Sequence, residues 1–129
     1  MKKILVVDDE QDVQALYQQR FRKELRAGEI EFHFEFSGEA ALKYLEENDR
    51  STLGLILSDI NMPGMSGLDL LRITKERYSN LKVIMVTAYH DNNNYKAALE
   101  YGSDDYLTKP VDFTALKDKV FGIWLDTGG

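Results

Sequence analysis

The chain has 129 residues and a formal net charge of −6, from 22 acidic and 16 basic side chains. That length suits one domain, and the acidic balance makes it a poor non-specific binder of nucleic acid, so no direct nucleic-acid partner is expected. There are no cysteines, which excludes disulfides and thiolate metal sites; a reducing compartment fits, and a cytoplasmic location is the expectation. No apolar run is long enough to span a membrane, and the run from Ile4 to Val7 meets two acids before it could serve as a secretory signal.

The first apolar run predicts a strand over residues 3–8, ending at the pair Asp8 and Asp9. A helix is predicted over 12–26, where Val13, Leu16, Tyr17, Phe21 and Leu25 recur at three- and four-residue steps. Its cations Arg20, Arg22, Lys23 and Arg26 read as a solvated face, with docking of a kinase as the alternative. "IEFHFEF" over 30–36 alternates, Ile30, Phe32, Phe34 and Phe36 against Glu31, His33 and Glu35, and predicts an edge strand with one wetter face. A helix follows over 38–48. The third strand, over 53–58, delivers Asp59 to its own end, and "NMPGMSG" then turns the chain through Pro63, Gly64 and Gly67.

A helix over 67–78 leads to a fourth strand over 82–87 that ends at Thr87. The next helix, over 92–101, opens on "HDNNNY"; asparagine is a poor helix former though a good cap, so a loose first turn is expected. A short acidic strand over 105–108 precedes Lys109 and Pro110, and a last helix over 112–125 carries Trp124. His33 and His90 read as ordinary surface residues. The chain is expected to be one domain over 1–125, with 126–129 as a terminal tail or the start of a linker.

Five strand-then-helix units imply a doubly wound α/β fold with a parallel sheet and right-handed crossovers. The first, third and fourth strands are continuous apolar runs, as in strands buried on both faces, and the order 2-1-3-4-5 puts them inside. Sites in such sheets form beyond the carboxyl ends of the strands, where the order reverses. There the sequence places Asp8, Asp9, Asp59, Thr87 and Lys109. Packed carboxylates repel one another, and a hard divalent cation such as Mg²⁺, which takes oxygen ligands, relieves the repulsion. Without histidine or cysteine in the motif, zinc is not expected. A carboxylate beside Mg²⁺ and a lysine suits nucleophilic attack on phosphorus.

These residues lie in "VVDDE" at 6–10, "SDINMPGMSGLDLL" at 58–71, "VTA" at 86–88 and "GSDDYLTKP" at 102–110. Together the segments strongly resemble the CheY-like receiver domain of two-component response regulators, over essentially the whole chain. The resemblance implies a flavodoxin-like (βα)5 fold with Asp59 as phosphoacceptor. It implies that Asp9 binds Mg²⁺ directly, Asp8 mostly through water, and that the main-chain carbonyl of Asn61 is the third protein ligand. Thr87 and Lys109 would bind the phosphoryl group, and Thr87 with Tyr106 would form the conformational switch. Asn61 and Tyr89 would flank the path of the attacking water and set the phosphorylation lifetime. The Lys109–Pro110 bond is often cis in the family.

The implied partners are a sensor histidine kinase or histidine phosphotransfer protein, and a downstream protein or an output domain outside this chain. A phosphorylation-dependent homodimer through the helix after the fourth strand, the fifth strand and the last helix is also implied. The domain would supply half of an active site, so whether it counts as an enzyme is a matter of definition. Ser103 departs from the family's usual alanine. Two other classes compete. A flavin-bearing electron carrier shares the strand order but needs a Gly-, Ser- or Thr-rich first loop, where "VVDDEQD" is acidic. A phosphorylation-independent interaction module would not need the intact set of acids, threonine and lysine.

Overall fold

The computed structural model describes residues 2–88 and 91–126, without side chains beyond Ile123. Strands β1 (Lys2–Val7), β2 (Ile30–Glu35), β3 (Leu53–Asp59), β4 (Val83–Thr87) and β5 (Asp105–Thr108) form one sheet in the order β2-β1-β3-β4-β5. All four pairings are parallel. The alternating second strand and the short acidic fifth strand are the two edges, as their patterns require. The helices are α1 (Asp12–Arg20), α2 (Arg22–Arg26), α3 (Gly38–Glu47), α4 (Gly67–Arg77), α5 (Asn92–Glu100) and α6 (Phe113–Asp126).

Successive strand residues face opposite sides of the sheet. Leu5, Val7, Ile56, Val83 and Met85 pack under α3, α4 and α5, against Leu45, Leu70, Leu71 and Ala98. Ile4, Val6, Leu55, Leu57, Ile84 and Val86 pack on the other side, against Tyr17, Phe21, Leu116 and Val120. Each fully buried Leu, Ile or Val is worth about 1.5–3 kcal/mol, against at most about 1 kcal/mol for an exposed ion pair. These two layers, and not the surface charges, hold the sheet. Among the described residues no helix is long and apolar enough to cross a membrane.

The single helix expected over 12–26 is instead two. Phe21, at φ −103° and ψ 21°, leaves helical geometry between α1 and α2. Its ring is fully buried, with its centroid 5.2 Å from that of Phe32 and 6.2 Å from that of Phe113. Seating that ring outweighs the modest helix propensity of phenylalanine. Leu16 also departs from the expected apolar face, at 40% exposed. Across the break, Lys117 of α6 lies 3.1 Å from the Glu24 carboxylate and 5.2 Å from the centre of the Phe21 ring. His33 is only partly exposed; it stacks on Tyr44 at 3.9 Å and pairs with Glu35. His90 lies outside the described residues.

The starts of α3, α4, α5 and α6 are capped by side chains, whereas α1 and α2 have no side-chain cap. Ser37 accepts from the Ala40 amide and Ser66 from the Asp69 amide. The asparagines opening α5 follow an aspartate cap, Asp91, which accepts from the amides of Asn93 and Asn94. Asp112 caps α6 through the amides of Thr114 and Ala115. Thr74 of α4, by contrast, is fully buried and its Oγ1 has no hydrogen-bond partner among the described residues. An unmade bond of this kind costs about 1–3 kcal/mol, and valine has nearly the same shape and helix propensity. Thr74→Val is expected to raise the melting temperature by roughly 3 °C or more; a lower value in thermal unfolding would show that the hydroxyl has a partner.

Candidate functional site

Val7 of β1 pairs with Ser58 of β3, so Asp8 and Asp59 leave the sheet side by side. Both are nearly buried, at 6% and 7% exposed, whereas Asp9 is exposed. Asp8 Oδ1 accepts from the Glu10 amide at 3.0 Å, and Asp59 Oδ1 accepts from the Ile60 amide at 2.7 Å. One carboxylate oxygen from each of Asp8, Asp9 and Asp59 lies within 4.8 Å of the others.

Lys109 is drawn in from the far edge, where its amide donates to the Thr87 carbonyl at 2.7 Å. The Lys109–Pro110 bond is cis. Its ammonium donates to Asp8 Oδ2 at 2.8 Å and stands 3.5 Å from Asp59 Oδ2. Of the two ion pairs that Lys109 makes, the one with Asp59 is the longer, and Asp8 holds the lysine more closely. Burial pushes the Asp59 carboxyl above the usual carboxylate range; the Lys109 charge pulls it down, and the Asp8 charge pushes it up. For Lys109, burial alone would lower the pKa. The bond to Asp8 and the charges of Asp59, Asp8 and Glu10 outweigh it and hold the ammonium above its ordinary value.

Thr87 ends β4 and is fully buried. Tyr106 pairs with Met85, two residues before Thr87, so Thr87 and Tyr106 share one face of the sheet. The Tyr106 ring stands edge-on to Tyr95 of α5, 5.2 Å between centroids. Burial raises its phenol pKa, the Asp91 charge adds to this, and the Asp91 amide opposes it. Asn61 is exposed in the loop after Asp59. Tyr89 lies outside the described residues. Ser103, at the departure from the family pattern, donates from Oγ to the Asp105 carbonyl at 2.5 Å.

Three features of the site escaped the reading by motif. The loop after Asp59 is closed on itself, because the Gly67 amide donates to the Ile60 carbonyl at 2.7 Å. A Cβ at Gly67 would fall 1.8 Å from the Asp59 carbonyl oxygen, so only glycine fits. Glu39 of α3 leans on the same loop, with both carboxylate oxygens 3.4 Å from the Met65 amide. A groove of about 480 Å³ opens beside Asp8 and Lys109, between α1 and the start of α6; Leu16, Tyr17, Arg20 and Phe113 line it. The "MPGMSG" turn chemistry and the polar tip of Tyr17 were the signals for these.

The clustered donors are all oxygens, which suits a hard cation such as Mg²⁺ and not a softer metal. A family model for the response regulator receiver domain matches residues 4–121, and the chain belongs to that family. It is 37% identical to the response regulator FleR of Pseudomonas aeruginosa over 92% of its own length, but spans only 24% of that protein. It is 29% identical to the sporulation initiation phosphotransferase F of Bacillus subtilis, with 92% of this chain and 90% of that protein covered. In ArlR of Staphylococcus saprophyticus, 32% identical over 93% of this chain, it spans 51% of the relative. The chain thus spans about a quarter and about half of two of these curated relatives.

Among solved structures it resembles a receiver domain from Clostridium thermocellum, at a TM-score of 0.86 and 27% identity, covering 99% and 98% of the two chains. It also resembles the response regulator TrrA of Thermotoga maritima in complex with Mg²⁺ and beryllofluoride. There the TM-score is 0.79 at 32% identity, with 95% of this chain and 99% of that chain covered. The chain is a phosphoacceptor receiver domain of the two-component kind, with a CheY-like fold.

Proposed function

We propose that Asp59 takes the phosphoryl group, in a Mg²⁺-dependent transfer from the phosphohistidine of a sensor kinase or phosphotransfer protein. The observation that carries this reading is the meeting of Asp8, Asp9, Asp59 and the Lys109 ammonium at one sheet end. Asp59 Oδ1 is engaged by the Ile60 amide, which leaves Oδ2 as the attacking oxygen. The Oδ2–P bond forms as the N–P bond breaks, and the electron pair of that bond goes to the departing imidazole. Lys109 neutralises phosphoryl oxygens, and the Thr87 hydroxyl donates to another. Asp9 directly, Asp8 through water, Asp59 and the Asn61 carbonyl would hold Mg²⁺. Bound there, the ion supplies positive charge for the carboxylates and the transferring group.

Asn61, exposed after Asp59, helps set the lifetime of the phosphorylated form, and the same part expected of Tyr89 falls outside the described residues. Thr87 and Tyr106 act as the switch, a population shift driven only by preference for one state. Leu99 and Tyr95 of α5, at 54% and 38% exposed, support a readout face of α5, β5 and α6, for a downstream partner, an output domain or a second copy. Arg20 of α1 lines the groove beside Lys109, and its cation suits the phosphodonor. A cytoplasmic location follows from such partners. Neither rival class fits as well: the first loop is acidic where a flavin phosphate would sit, and a mere interaction module has no need of this constellation.

With Mg²⁺ and acetyl phosphate, the protein is expected to gain the mass of one phosphoryl group, and none when the metal is chelated. Asp9→Ala should weaken Mg²⁺ binding at least tenfold in an amide-shift titration, the scale of losing a charged ligand. If Asp9→Ala binds Mg²⁺ as tightly as the parent, the proposed ligand set is wrong.

A further inference from the structure

Tyr17 carries a polar group that the transfer chemistry leaves unused. The residue is 5% exposed, and its ring packs at 6.3, 5.8 and 5.4 Å from those of Phe21, Phe32 and Phe113. A phenylalanine would serve that packing equally well, so the cluster accounts for the ring and not for the hydroxyl. No hydrogen bond from any described residue reaches the hydroxyl. Nor is it sealed away like Glu24 Oε1 and Thr74 Oγ1, which are buried without partners among the described residues. Tyr17 lines the same groove as Asp8 and Lys109. Helical side chains lean toward the N-terminus of their helix, which carries the Tyr17 tip toward the carboxyl ends of the strands. Burial and the charges of Asp8 and Asp59 raise the phenol pKa, so it remains a neutral donor.

Asp8 depends on Lys109 in the resting domain. The ammonium is 2.8 Å from Asp8 and 3.5 Å from Asp59. To meet a phosphoryl group on Asp59 it must move toward Asp59, and its bond to Asp8 then lengthens. That takes the ammonium from Oδ2 of a carboxylate only 6% exposed, whose Oδ1 is held by the Glu10 amide. A second donor beside the metal-bound water is then favourable in so dry a place. Tyr17 is a buried neutral donor, without a partner among the described residues, that borders the same groove.

We propose that Tyr17 is a positioning residue for Asp8: its phenol donates to the Asp8 carboxylate when Lys109 turns to the phosphoryl group. This rests on the reading of Asp59 as the phosphoacceptor. The hydroxyl is then idle in the resting domain and engaged in the phosphorylated one.

Tyr17→Phe separates the two states, because it keeps the ring and removes only the donor. Thermal unfolding of the resting protein should be unchanged or shifted upward. Binding of Mg²⁺ alone, followed by amide shifts, should stay within about twofold, since Lys109 still holds Asp8. Binding of beryllofluoride with Mg²⁺, followed by fluorine NMR, should weaken roughly tenfold, the scale of one hydrogen bond to a charged group. Equal beryllofluoride affinity in parent and Tyr17→Phe overturns the inference while the Asp59 assignment stands. A lowered resting melting temperature with parallel loss of Mg²⁺ binding also overturns it, as the mark of a packing role. A parent protein that binds no beryllofluoride, or an Asp59→Asn variant that does, refutes the phosphoacceptor reading and the Tyr17 inference with it.

Discussion

Asp59→Asn should take up no phosphoryl group from acetyl phosphate, and it should unfold at a higher temperature than the parent at neutral pH. The first effect is complete because no other carboxylate at the site offers an oxygen as loosely held as Asp59 Oδ2, from which Lys109 stands 3.5 Å away. Asp8 has both oxygens engaged, by the Glu10 amide and by Lys109, and Asp9 is exposed. The second effect comes from burial, which penalises the charged form of Asp59, with the Asp8 charge adding to it and Lys109 only partly offsetting both. The folded state raises this pKa, so between the ordinary and the raised value the fold binds more protons than the unfolded chain. Its contribution to stability is fully present below the ordinary carboxylate pKa and is lost as pH rises through the raised one. Asparagine escapes that loss and keeps an oxygen for the Ile60 amide. The gap in melting temperature between Asp59→Asn and the parent should therefore narrow as pH falls toward the carboxylate range. Phosphoryl gain by Asp59→Asn, or a lower melting temperature at pH 7, contradicts this account of the site.

Gly67→Ala should be the most damaging single-methyl change in the domain. The new Cβ would stand 1.8 Å from the Asp59 carbonyl oxygen and 2.7 Å from its carbon. These are backbone atoms of β3, buried between two neighbouring strands, and cannot swing aside like the end of a side chain. Overpacking of a well-filled interior costs about 1–3 kcal/mol, occasionally more, and this contact belongs at the upper end. A fall in melting temperature of roughly 10 °C follows for a domain of this size. Whatever relief occurs must move Asp59 or break the bond between the Gly67 amide and the Ile60 carbonyl, so beryllofluoride binding should fail as well. Gly122 in α6 is the control. A Cβ there meets nothing within 4 Å, and Gly122→Ala should be neutral or stabilising, as glycine is unfavourable inside a helix by about 1 kcal/mol. Similar losses for the two variants would mean that the cost is conformational and not steric.

The order of the sheet was legible because each strand announces its own burial. "ILVV" and "VIMV" are apolar on both faces, while "IEFHFEF" shows one face to water. The acids, threonine and lysine were legible for a related reason: each ends a strand, and a parallel sheet brings those ends together. What lay hidden depends on distances between segments. Nothing in the periodicity of 12–26 says that seating the Phe21 ring breaks the helix, since Phe21 falls on the expected face. The preference of Lys109 for Asp8 over Asp59 is a matter of 2.8 against 3.5 Å, set by where the fifth strand ends. Tyr17 read as one more apolar position, because helical spacing reports the ring and is blind to the hydroxyl. Gly67 read as turn chemistry, although its φ is not positive and its role is a close approach to the strand before it.

The closed loop after Asp59 also sets where this domain tolerates changes in length. At the start of β3 the chain passes through Ser51, exposed and held only by neighbouring Asp49. An extra residue there has room to bulge into water. At the other end of the same strand, the 2.7 Å bond between Ile60 and Gly67 fixes the span of the loop, and the buried side chain of Met62 anchors its middle. One residue more or fewer between Ile60 and Gly67 would displace the Asn61 carbonyl from the acids. Natural and engineered insertions in this domain should therefore collect at the amino-terminal ends of the strands and avoid the turn that follows Asp59.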